Sequence, residues 1–255
     1  MIIGIGFEKG GVGKTTLTVE LALAALYDGL NAVVVDTDPQ RSATYFRHFR
    51  AFKKRNGAYP DALKDVPVIG GATARLSDQL TALDGQYDLV LVDIPGRIGG
   101  ELLNAIAVCD YLLIPVMPSA YEVWPLEKMN DVVTQAMTKN PKLQALVVPM
   151  RIDTGKVETS LRSLRDLLTG AQCGALTMIK SFVCHRRAFP ECHTMGLSVG
   201  EVADRDLMAT REILSVYKET VLGLEPKSLP HQRHQMAEPR RLSQEDVRRK
   251  VVGEV

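Results

Sequence analysis

The 255-residue sequence has little net charge, few cysteines and no long apolar segment. Its formal net charge of +1 produces no overall electrostatic field, so binding to nucleic acid or to an anionic membrane has to come from local patches. No apolar run approaches the roughly 20 residues that a membrane-spanning helix needs, and an apolar strand stands where a secretion leader would lie. We therefore expect a cytoplasmic protein without a membrane span.

The sequence also lacks the paired cysteines that zinc fingers and zinc ribbons use. Its four cysteines include no Cys-x-x-Cys spacing, which speaks against a structural zinc site. Thiols stay reduced in the cytoplasm, so we expect all four to be free.

A hydrophobic fraction of 45% is present, enough for one sizeable folded domain. The character of the chain changes from Glu225 onward, where prolines accumulate and large apolar residues become scarce. We therefore predict one folded domain over residues 1–224 and a flexible or loosely packed tail over residues 225–255.

Strand and helix patterns alternate along the folded part. Apolar runs predict buried strands over 2–7, 31–35, 89–92, 111–115, 143–148 and 177–182. Helical periodicity predicts helices over 17–27, 43–54, 101–108, 120–138 and 159–168, and one more that begins after Asp204 or Asp206 and ends near Val221. This order predicts an α/β fold with a mostly parallel twisted sheet, helices on both faces, and ligands at the carboxyl ends of the strands.

The most informative segment joins the first predicted strand to the first predicted helix. Its glycines let successive backbone N–H groups surround a phosphate, Lys14 neutralises phosphate charge, and Thr15 offers a hydroxyl to Mg²⁺. The following helix adds the positive end of its dipole. Glu8 stands where the usual loop pattern has glycine, and Lys9 is an additional lysine. The predicted phosphate-binding residues are Gly10, Gly11, Val12, Gly13, Lys14, Thr15 and Thr16.

Two more segments end predicted strands in aspartates. Asp36 and Asp38 come at the end of one strand, just before Pro39, and Asp93 ends another. Carboxyl ends of parallel strands meet at one edge of a sheet, so we expect these carboxylates to face the phosphate loop. Asp93 is then predicted to lie near Mg²⁺, opposite Thr15. The alternative for Asp36 and Asp38 is that they cap the helix that follows them.

With these motifs the chain resembles the deviant Walker A ATPases of the ParA/MinD family over roughly residues 1–222, and most of all small ParA-type partition or positioning ATPases. The resemblance implies a P-loop ATPase that uses ATP and Mg²⁺. It implies catalytic roles for Lys9, Lys14 and Asp38, with Lys9 reaching the phosphates bound by a partner and Asp38 orienting the attacking water. The chain contains no Asn-Lys-x-Asp segment of the kind that recognises guanine, which favours ATP over GTP.

The resemblance also implies that Asp36 supports the metal beside Thr15 and Asp93. The segment after Asp93 is similar to the family's switch II, although Gly96 replaces a proline often found there, a change that predicts a more mobile loop. Met150 and Arg151, at the end of a predicted strand, are only a candidate for adenine contact.

Segments 186–191 and 196–201 more weakly resemble the ParA region that contributes to the nucleotide pocket, the dimer surface and a DNA-binding face. Arg186 and Arg187 are the predicted DNA contacts. The resemblance implies an ATP-dependent homodimer, nonspecific DNA binding with nucleoid association in the ATP form, and a ParB-like or other adaptor that stimulates hydrolysis. It leaves the cargo open among a plasmid, a chromosome and another large assembly.

Alternatives remain for each of these partners. Arg47, Arg50 and Lys54 share one face of a predicted helix and could also contact DNA, with Tyr45, Phe49 and Phe52 packing on the core. A MinD-like membrane-associated ATPase needs an amphipathic C-terminal helix, and the small valines of the last residues predict only weak insertion. An ATP-dependent biosynthetic ligase on the same fold needs a second substrate pocket, which the sequence does not reveal.

Overall fold

A computed structural model of the chain describes residues 1–70, 75–202 and 206–223. Its centre is a seven-stranded sheet in the order β3-β2-β4-β1-β5-β6-β7, in which all neighbouring strands run parallel. The strands are β1 (Ile2–Ile5), β2 (Ala32–Asp36), β3 (Val68–Gly70), β4 (Leu89–Asp93), β5 (Tyr111–Val116), β6 (Gln144–Pro149) and β7 (Leu176–Met178).

Helices cover both faces of the sheet. They are α1 (Lys14–Tyr27), α2 (Ser42–Arg55), α3 (Leu76–Asp84), α4 (Gly100–Ile106), α5 (Val123–Lys139), α6 (Val157–Gly170), α7 (Ala188–Thr194) and α8 (Leu207–Tyr217). One apolar cluster joins the sheet to α1, α2, α7 and α8, and a second joins its other face to α3, α4, α5 and α6. A 3₁₀ turn (Ala120–Glu122) precedes α5, and a π-helical turn (Lys218–Leu222) follows α8.

The central strands are apolar along their whole length because each of their faces is covered. In β2, Val34 belongs to the first cluster while Val33 and Val35 belong to the second. This alternation is the period of two that a strand buried between two helical layers requires. The predicted α/β fold class is therefore confirmed, and the strand ends that carry the predicted site residues meet at one edge.

The structure contains elements that the sequence analysis missed. These are the edge strand β3 with α3, and the short helix α7. The β3 strand spans three partly exposed or exposed residues, which is too short for a clear period of two, and α7 contains Pro190, a residue that helix interiors disfavour but a first turn tolerates. The last strand is also shorter than predicted and ends at Met178.

The C-terminal helix α8 begins after Asp206, whose side chain accepts hydrogen bonds from the N–H groups of Met208 and Ala209. Asp204, the other predicted cap, lies outside the described residues. The predicted tail, residues 225–255, lies outside them as well. No helix in the described ranges is long and apolar enough to cross a membrane. All four cysteines are buried, and none of them forms a disulfide with another.

The orientation of α2 contradicts the expectation from sequence. Arg50, expected on a solvated basic face, is the buried residue, whereas Tyr45, Phe49 and Phe52, expected on the core, are exposed. Arg50 is held by Glu201, with Nη2 and Oε1 2.5 Å apart and both side chains 1% exposed. A buried arginine needs a carboxylate beside it, and Glu201 is that carboxylate. Because Glu201 lies outside α2, the residue pattern of the helix could not predict the burial of Arg50.

Candidate functional site

The loop between β1 and α1 has the backbone conformation of a phosphate cradle. Gly11 and Gly13 adopt φ values of 74° and 102°, in the left-handed region that favours glycine. A Cβ placed on Gly10 or Gly11 would meet nothing within 4 Å, so the loop backbone is open on that side. Gly13 is the N-cap of α1, and the N–H groups of the loop and of the first turn are available to an anion.

Lys14 lies at the first position of α1, with its side chain folded back over the loop. Its Nζ donates to the carbonyl oxygen of Lys9 at 2.6 Å, and the residue is 7% exposed. Burial lowers the pKa of Lys14, while the nearby carboxylates of Asp93 and Asp38 act in the opposite direction. The Lys14 ammonium group is thus held over the phosphate loop by the loop's own backbone.

Thr15 and Asp93, which were predicted to lie on opposite sides of Mg²⁺, are in direct contact in the structure. The Thr15 hydroxyl donates to Asp93 Oδ2 at 2.7 Å. Burial raises the pKa of Asp93 to about 7, and the neighbouring Asp36 and Asp38 carboxylates add to that rise, whereas the hydrogen bond from Thr15 opposes it. A hydroxyl and a carboxylate oxygen side by side are the type of ligand that Mg²⁺ prefers.

Asp36 occupies the position beside Asp93 in the sheet but has other partners. Its Oδ2 accepts from the backbone N–H of Thr44 at 2.9 Å and from the Thr44 hydroxyl at 2.7 Å, which holds the first turn of α2. Its Oδ1 accepts from the N–H of Asp38 at 3.3 Å. In this structure Asp36 therefore supports the first turn of α2 and the following loop, as the capping alternative expected, and its support of the metal stays a prediction.

Asp38 is partly exposed at the start of the loop that leads into α2. Its Oδ1 accepts from the N–H of Gln40 at 2.9 Å, a local turn that leaves the second carboxylate oxygen without a described hydrogen bond. The side chain lines the cavity above the phosphate loop. That placement puts a carboxylate where a water molecule next to bound phosphate could be oriented.

Gly96 lies against the phosphate loop and has a steric reason for being glycine. A Cβ at this position would come within 3.1 Å of Lys14 Nζ and within 3.3 Å of the backbone of Lys9 and Gly10. A side chain at this position would therefore crowd both the Lys14 ammonium and the backbone of the phosphate loop.

The predicted phosphate-binding residues other than Val12, together with Asp38, line a cavity of about 600 Å³, whereas Asp36 and Asp93 lie outside its lining. Its floor is the phosphate loop, and one wall is formed by Met150 and Arg151, the predicted adenine contacts. Met150 packs beneath Gly13, because a Cβ on that glycine would lie 2.9 Å from Met150 Cε. Phe189 and Pro190, in segment 186–191, line the cavity as well. Cavity residues outside every predicted segment are Gln40, Ser42, Val183, Cys184, His185 and His193.

Lys9 turns away from this cavity. Its Nζ lies 2.5 Å from Glu122 Oε1, with side chains 34% and 0% exposed respectively. Glu122 Oε2 is buried and has no hydrogen-bond partner among the described residues. Glu122 belongs to the turn before α5, 113 residues away in sequence, so no local pattern could have identified this contact.

The two predicted DNA contacts have different surroundings. Arg186 is 17% exposed and bonded to two carboxylates, with Nη2 2.7 Å from Glu212 Oε1 and Nη1 3.1 Å from Asp206 Oδ2. These bonds raise the pKa of the Arg186 guanidinium, which also lines the nucleotide cavity. Arg187 is exposed at the start of α7. Of the two, Arg187 is the more exposed, and it forms no ion pair with any residue that the structure describes.

A family model described as the CobQ/CobB/MinD/ParA nucleotide binding domain matches residues 3–197. The chain is 25% identical over 214 residues to the maintenance of carboxysome distribution protein A of Halothiobacillus neapolitanus, covering 84% of this chain and 93% of that protein. It is 30% identical over 190 residues to the chromosome-partitioning ATPase Soj of Thermus thermophilus, covering 63% and 75%. The chain is 31% identical over 179 residues to protein IncC of Escherichia coli, and this match covers 57% of this chain but only 49% of that protein.

Solved structures with the same fold include a MinD cell division protein of Aquifex aeolicus, with a TM-score of 0.66 at 21% identity over 91% of this chain and 99% of the other. An ATP complex of a Cyanothece McdA variant has a TM-score of 0.65 at 18% identity over 89% and 98%. At these identities the likeness establishes the fold, which agrees with the sheet and site described above.

Proposed function

This chain belongs to the CobQ/CobB/MinD/ParA family of nucleotide-binding domains and is a P-loop ATPase, and from that premise we propose that it acts as a ParA-type positioning ATPase. In the proposal, binding of ATP and Mg²⁺ produces a homodimer that binds duplex DNA without sequence preference. Hydrolysis, stimulated by an adaptor protein, returns the monomer. The carboxysome and chromosome roles named for two relatives support a large cellular cargo.

One observation carries the proposal: the two lysines of the loop point to different places. Lys14 stays over its own phosphate loop, whereas Lys9 turns out of the cavity toward Glu122. The Lys9 ammonium group lies outside the cavity of its own chain. This position supports the proposal that Lys9 contacts phosphates bound by a second copy of the chain. Dimer formation then requires Lys9 to exchange the Glu122 carboxylate for those phosphates.

The residues present fit ATP and magnesium. The glycine loop with its open backbone and Lys14 suit the phosphates, and the adjacent oxygens of Thr15 and Asp93 suit Mg²⁺. When bound, the metal would offset phosphate charge at this position. Asp36 enters the proposal only as a support, because its oxygens already hold Thr44 and the backbone of Asp38.

Asp38 is proposed to orient the attacking water through its second carboxylate oxygen. Lys14 is proposed to hold the β and γ phosphates, because it is the lysine over the loop. Met150 and Arg151 are proposed as the side of the cavity nearest the nucleoside, since both line it.

Dimerisation is tested by comparing Lys9→Ala with Glu122→Gln in static light scattering with and without ATP. Lys9→Ala is expected to bind ATP within about twofold of wild type and to stay monomeric, because its contact is with the partner's nucleotide. Glu122→Gln removes the charge that holds Lys9 and keeps the lysine, so it is expected to dimerise at least as readily as wild type. An unchanged ATP-dependent dimer in Lys9→Ala would refute the role of Lys9.

DNA binding is tested by the matched pair Arg187→Ala and Arg186→Ala. Each phosphate contact contributes about 0.9 to the slope of log affinity against log salt, so loss of Arg187 from both copies of a dimer lowers the slope by about 1.8. Arg186→Ala is expected to leave the slope unchanged, because its charge is already paired with Glu212 and Asp206. The opposite result would make Arg186 the contact.

The alternatives are outcomes of the same measurements. An ATP form that ignores DNA but sediments with anionic lipid vesicles would support the MinD-like function. Turnover that depends on a metabolite, rather than on DNA and a partner protein, would support a biosynthetic ligase. Neither outcome is expected.

A further inference from the structure

A buried carboxylate in α1 contacts a side chain of the nucleotide cavity. Glu20 is 1% exposed, and a glutamate is rarely so buried without partners. Its Oε2 accepts from the Ser198 hydroxyl at 2.6 Å, and its Oε1 accepts from the backbone N–H of Val199 at 3.1 Å. Oε1 also lies 3.0 Å from Nε2 of His193. Of these three partners, His193 is the one that lines the cavity.

The contact with Glu20 fixes the roles of the two ring nitrogens of His193. Oε1 of Glu20 already accepts the N–H of Val199, so it acts as an acceptor and Nε2 of His193 is the donor. In the neutral ring, Nδ1 is then an acceptor. Nδ1 forms no hydrogen bond with any residue that the structure describes. The ring is also packed against Phe46, with centroids 5.3 Å apart. His193 is therefore held at one nitrogen and leaves an acceptor at the other.

His193 lies near the phosphate end of the cavity but beyond it. Thr16 lines the phosphate end, and Glu20 follows it by four residues on the same face of α1, which is about one helical turn or 6 Å. A nucleotide with its phosphates at the loop and its base toward Met150 has its ribose between these two ends. The side chain that Glu20 holds thus lies on the part of the cavity wall where the sugar is expected.

We propose that Nδ1 of His193 accepts a hydrogen bond from a ribose hydroxyl of the bound nucleotide, and that Glu20 is the residue that positions His193 for this contact. The inference rests on the nucleotide site of the proposed function and deepens it, because it assigns a residue that selects ribonucleotides over deoxynucleotides. A site built to bond a hydroxyl discriminates against the analogue that lacks it, since the polar group of the site is then left unpaired.

The chemistry of the other nucleotide groups fits this acceptor less well. Phosphate oxygens are themselves acceptors, and Lys14 with the N–H groups of the loop already serves them. The amino group of adenine is a donor, but the base is proposed to lie toward Met150 and Arg151. The ribose hydroxyls are donors and lie between the base and the phosphates.

The test is isothermal titration calorimetry of the full-length protein with ADP, 2′-deoxyADP and 3′-deoxyADP in the presence of Mg²⁺. The three ligands share base and phosphates and contain no γ-phosphate to hydrolyse, so the measurement isolates recognition of the sugar. Wild type is expected to bind ADP about tenfold more tightly than at least one of the two deoxy analogues. Equal affinities for all three would overturn the proposal.

The same titrations distinguish failure of this inference from failure of the proposed function. A protein that binds none of the three ligands would refute the nucleotide site itself. Tight binding of all three without a preference for ADP would refute the contact with His193 alone. ATP-dependent dimerisation and DNA binding are measured separately and do not enter this comparison.

His193→Gln separates the two ring nitrogens. The glutamine amide retains a donor to Glu20 but has no counterpart of Nδ1, so this variant is expected to bind the three ligands within about twofold of one another. A preference for ADP equal to that of wild type would overturn the proposal. Phe189→Leu is the matched control, because it alters another α7 side chain of the cavity wall without removing a polar group. It is expected to change all three affinities by the same factor.

The positioning role of Glu20 is tested with Glu20→Met, which keeps the length of the side chain and removes the acceptor. This variant is expected to bind ADP but to prefer it less than about threefold, because the His193 ring is free to turn. A merely structural role of Glu20 would lower all three affinities together. A preference as large as that of wild type would overturn the positioning role. Glu20→Met also leaves the Val199 N–H without its acceptor, and His193→Gln decides the sugar contact even if this variant fails to fold.

Discussion

The two sides of the nucleotide site differ in how firmly their side chains are held. On the phosphate-loop side, Thr15 is bonded to the buried Asp93, and Lys14 is bonded to the loop backbone. On the α2 side, Asp38 is partly exposed and makes one local hydrogen bond to the N–H of Gln40. The side chains of the phosphate-loop side are held in place, whereas the Asp38 carboxylate is held by a single local hydrogen bond.

Asp36 and Asp93 show the source of this difference. They are register partners at the ends of the neighbouring strands β2 and β4. Asp93 meets the threonine of the phosphate loop, while Asp36 meets Thr44 of α2. Equivalent strand positions thus contact the phosphate loop on one side and hold the first turn of α2 on the other.

The largest effect is expected on the phosphate-loop side, from Lys14→Ala. Lys14 offers several charge-assisted hydrogen bonds, each contributing about 1.5–3 kcal/mol, so ATP affinity is expected to fall at least about 100-fold. Isothermal titration calorimetry with MgATP measures this change. If Lys14→Ala bound ATP as tightly as wild type, the phosphate-loop side would not be the side that holds the nucleotide.

On the α2 side, Arg50→Ala is expected to destabilise the protein by about 3–5 kcal/mol, because it leaves the Glu201 carboxylate buried without its cation. Arg47→Ala, on the same helix but exposed, is expected to change stability by less than about 0.5 kcal/mol. Urea unfolding of nucleotide-free protein compares the two. Similar costs would contradict the burial of Arg50.

Asp38→Ala separates binding from hydrolysis. The variant is expected to bind MgATP within about twofold of wild type, because the phosphate-loop side is intact, and to lose turnover by about 100-fold or more. Steady-state phosphate release gives kcat, and calorimetry gives the affinity. Normal turnover would exclude Asp38 from water orientation.

The smallest effect is expected from Asp93→Asn in nucleotide-free protein. Burial raises the pKa of Asp93 to about 7 from an ordinary value of 3.8, so the native state binds its proton more tightly than the unfolded state. The free energy of unfolding should then decrease as pH rises from 4 to 8, and Asn should restore roughly 2 kcal/mol at pH 8. Urea unfolding at pH 5 and pH 8 without Mg²⁺ measures this, and identical pH slopes for both proteins would disprove it.

The sequence by itself determined the phosphate loop, the strand ends with Asp36, Asp38 and Asp93, and the parallel sheet that brings them together. These features follow from local rules: glycines permit the loop conformation, apolar runs predict buried strands, and parallel strands place their carboxyl ends at one edge. Met150 follows a predicted strand and was only a candidate for adenine contact, and in the structure it lines the cavity.

Only the tertiary structure decided which polar groups became partners. Glu201 lies 151 residues from Arg50, and its buried carboxylate rotates α2 so that the aromatic rings face outward. Glu122 draws Lys9 out of the cavity in the same way, and Asp206 with Glu212 compensates Arg186. A buried charge requires an opposite charge beside it, and the position of that charge depends on how distant segments pack rather than on any local pattern.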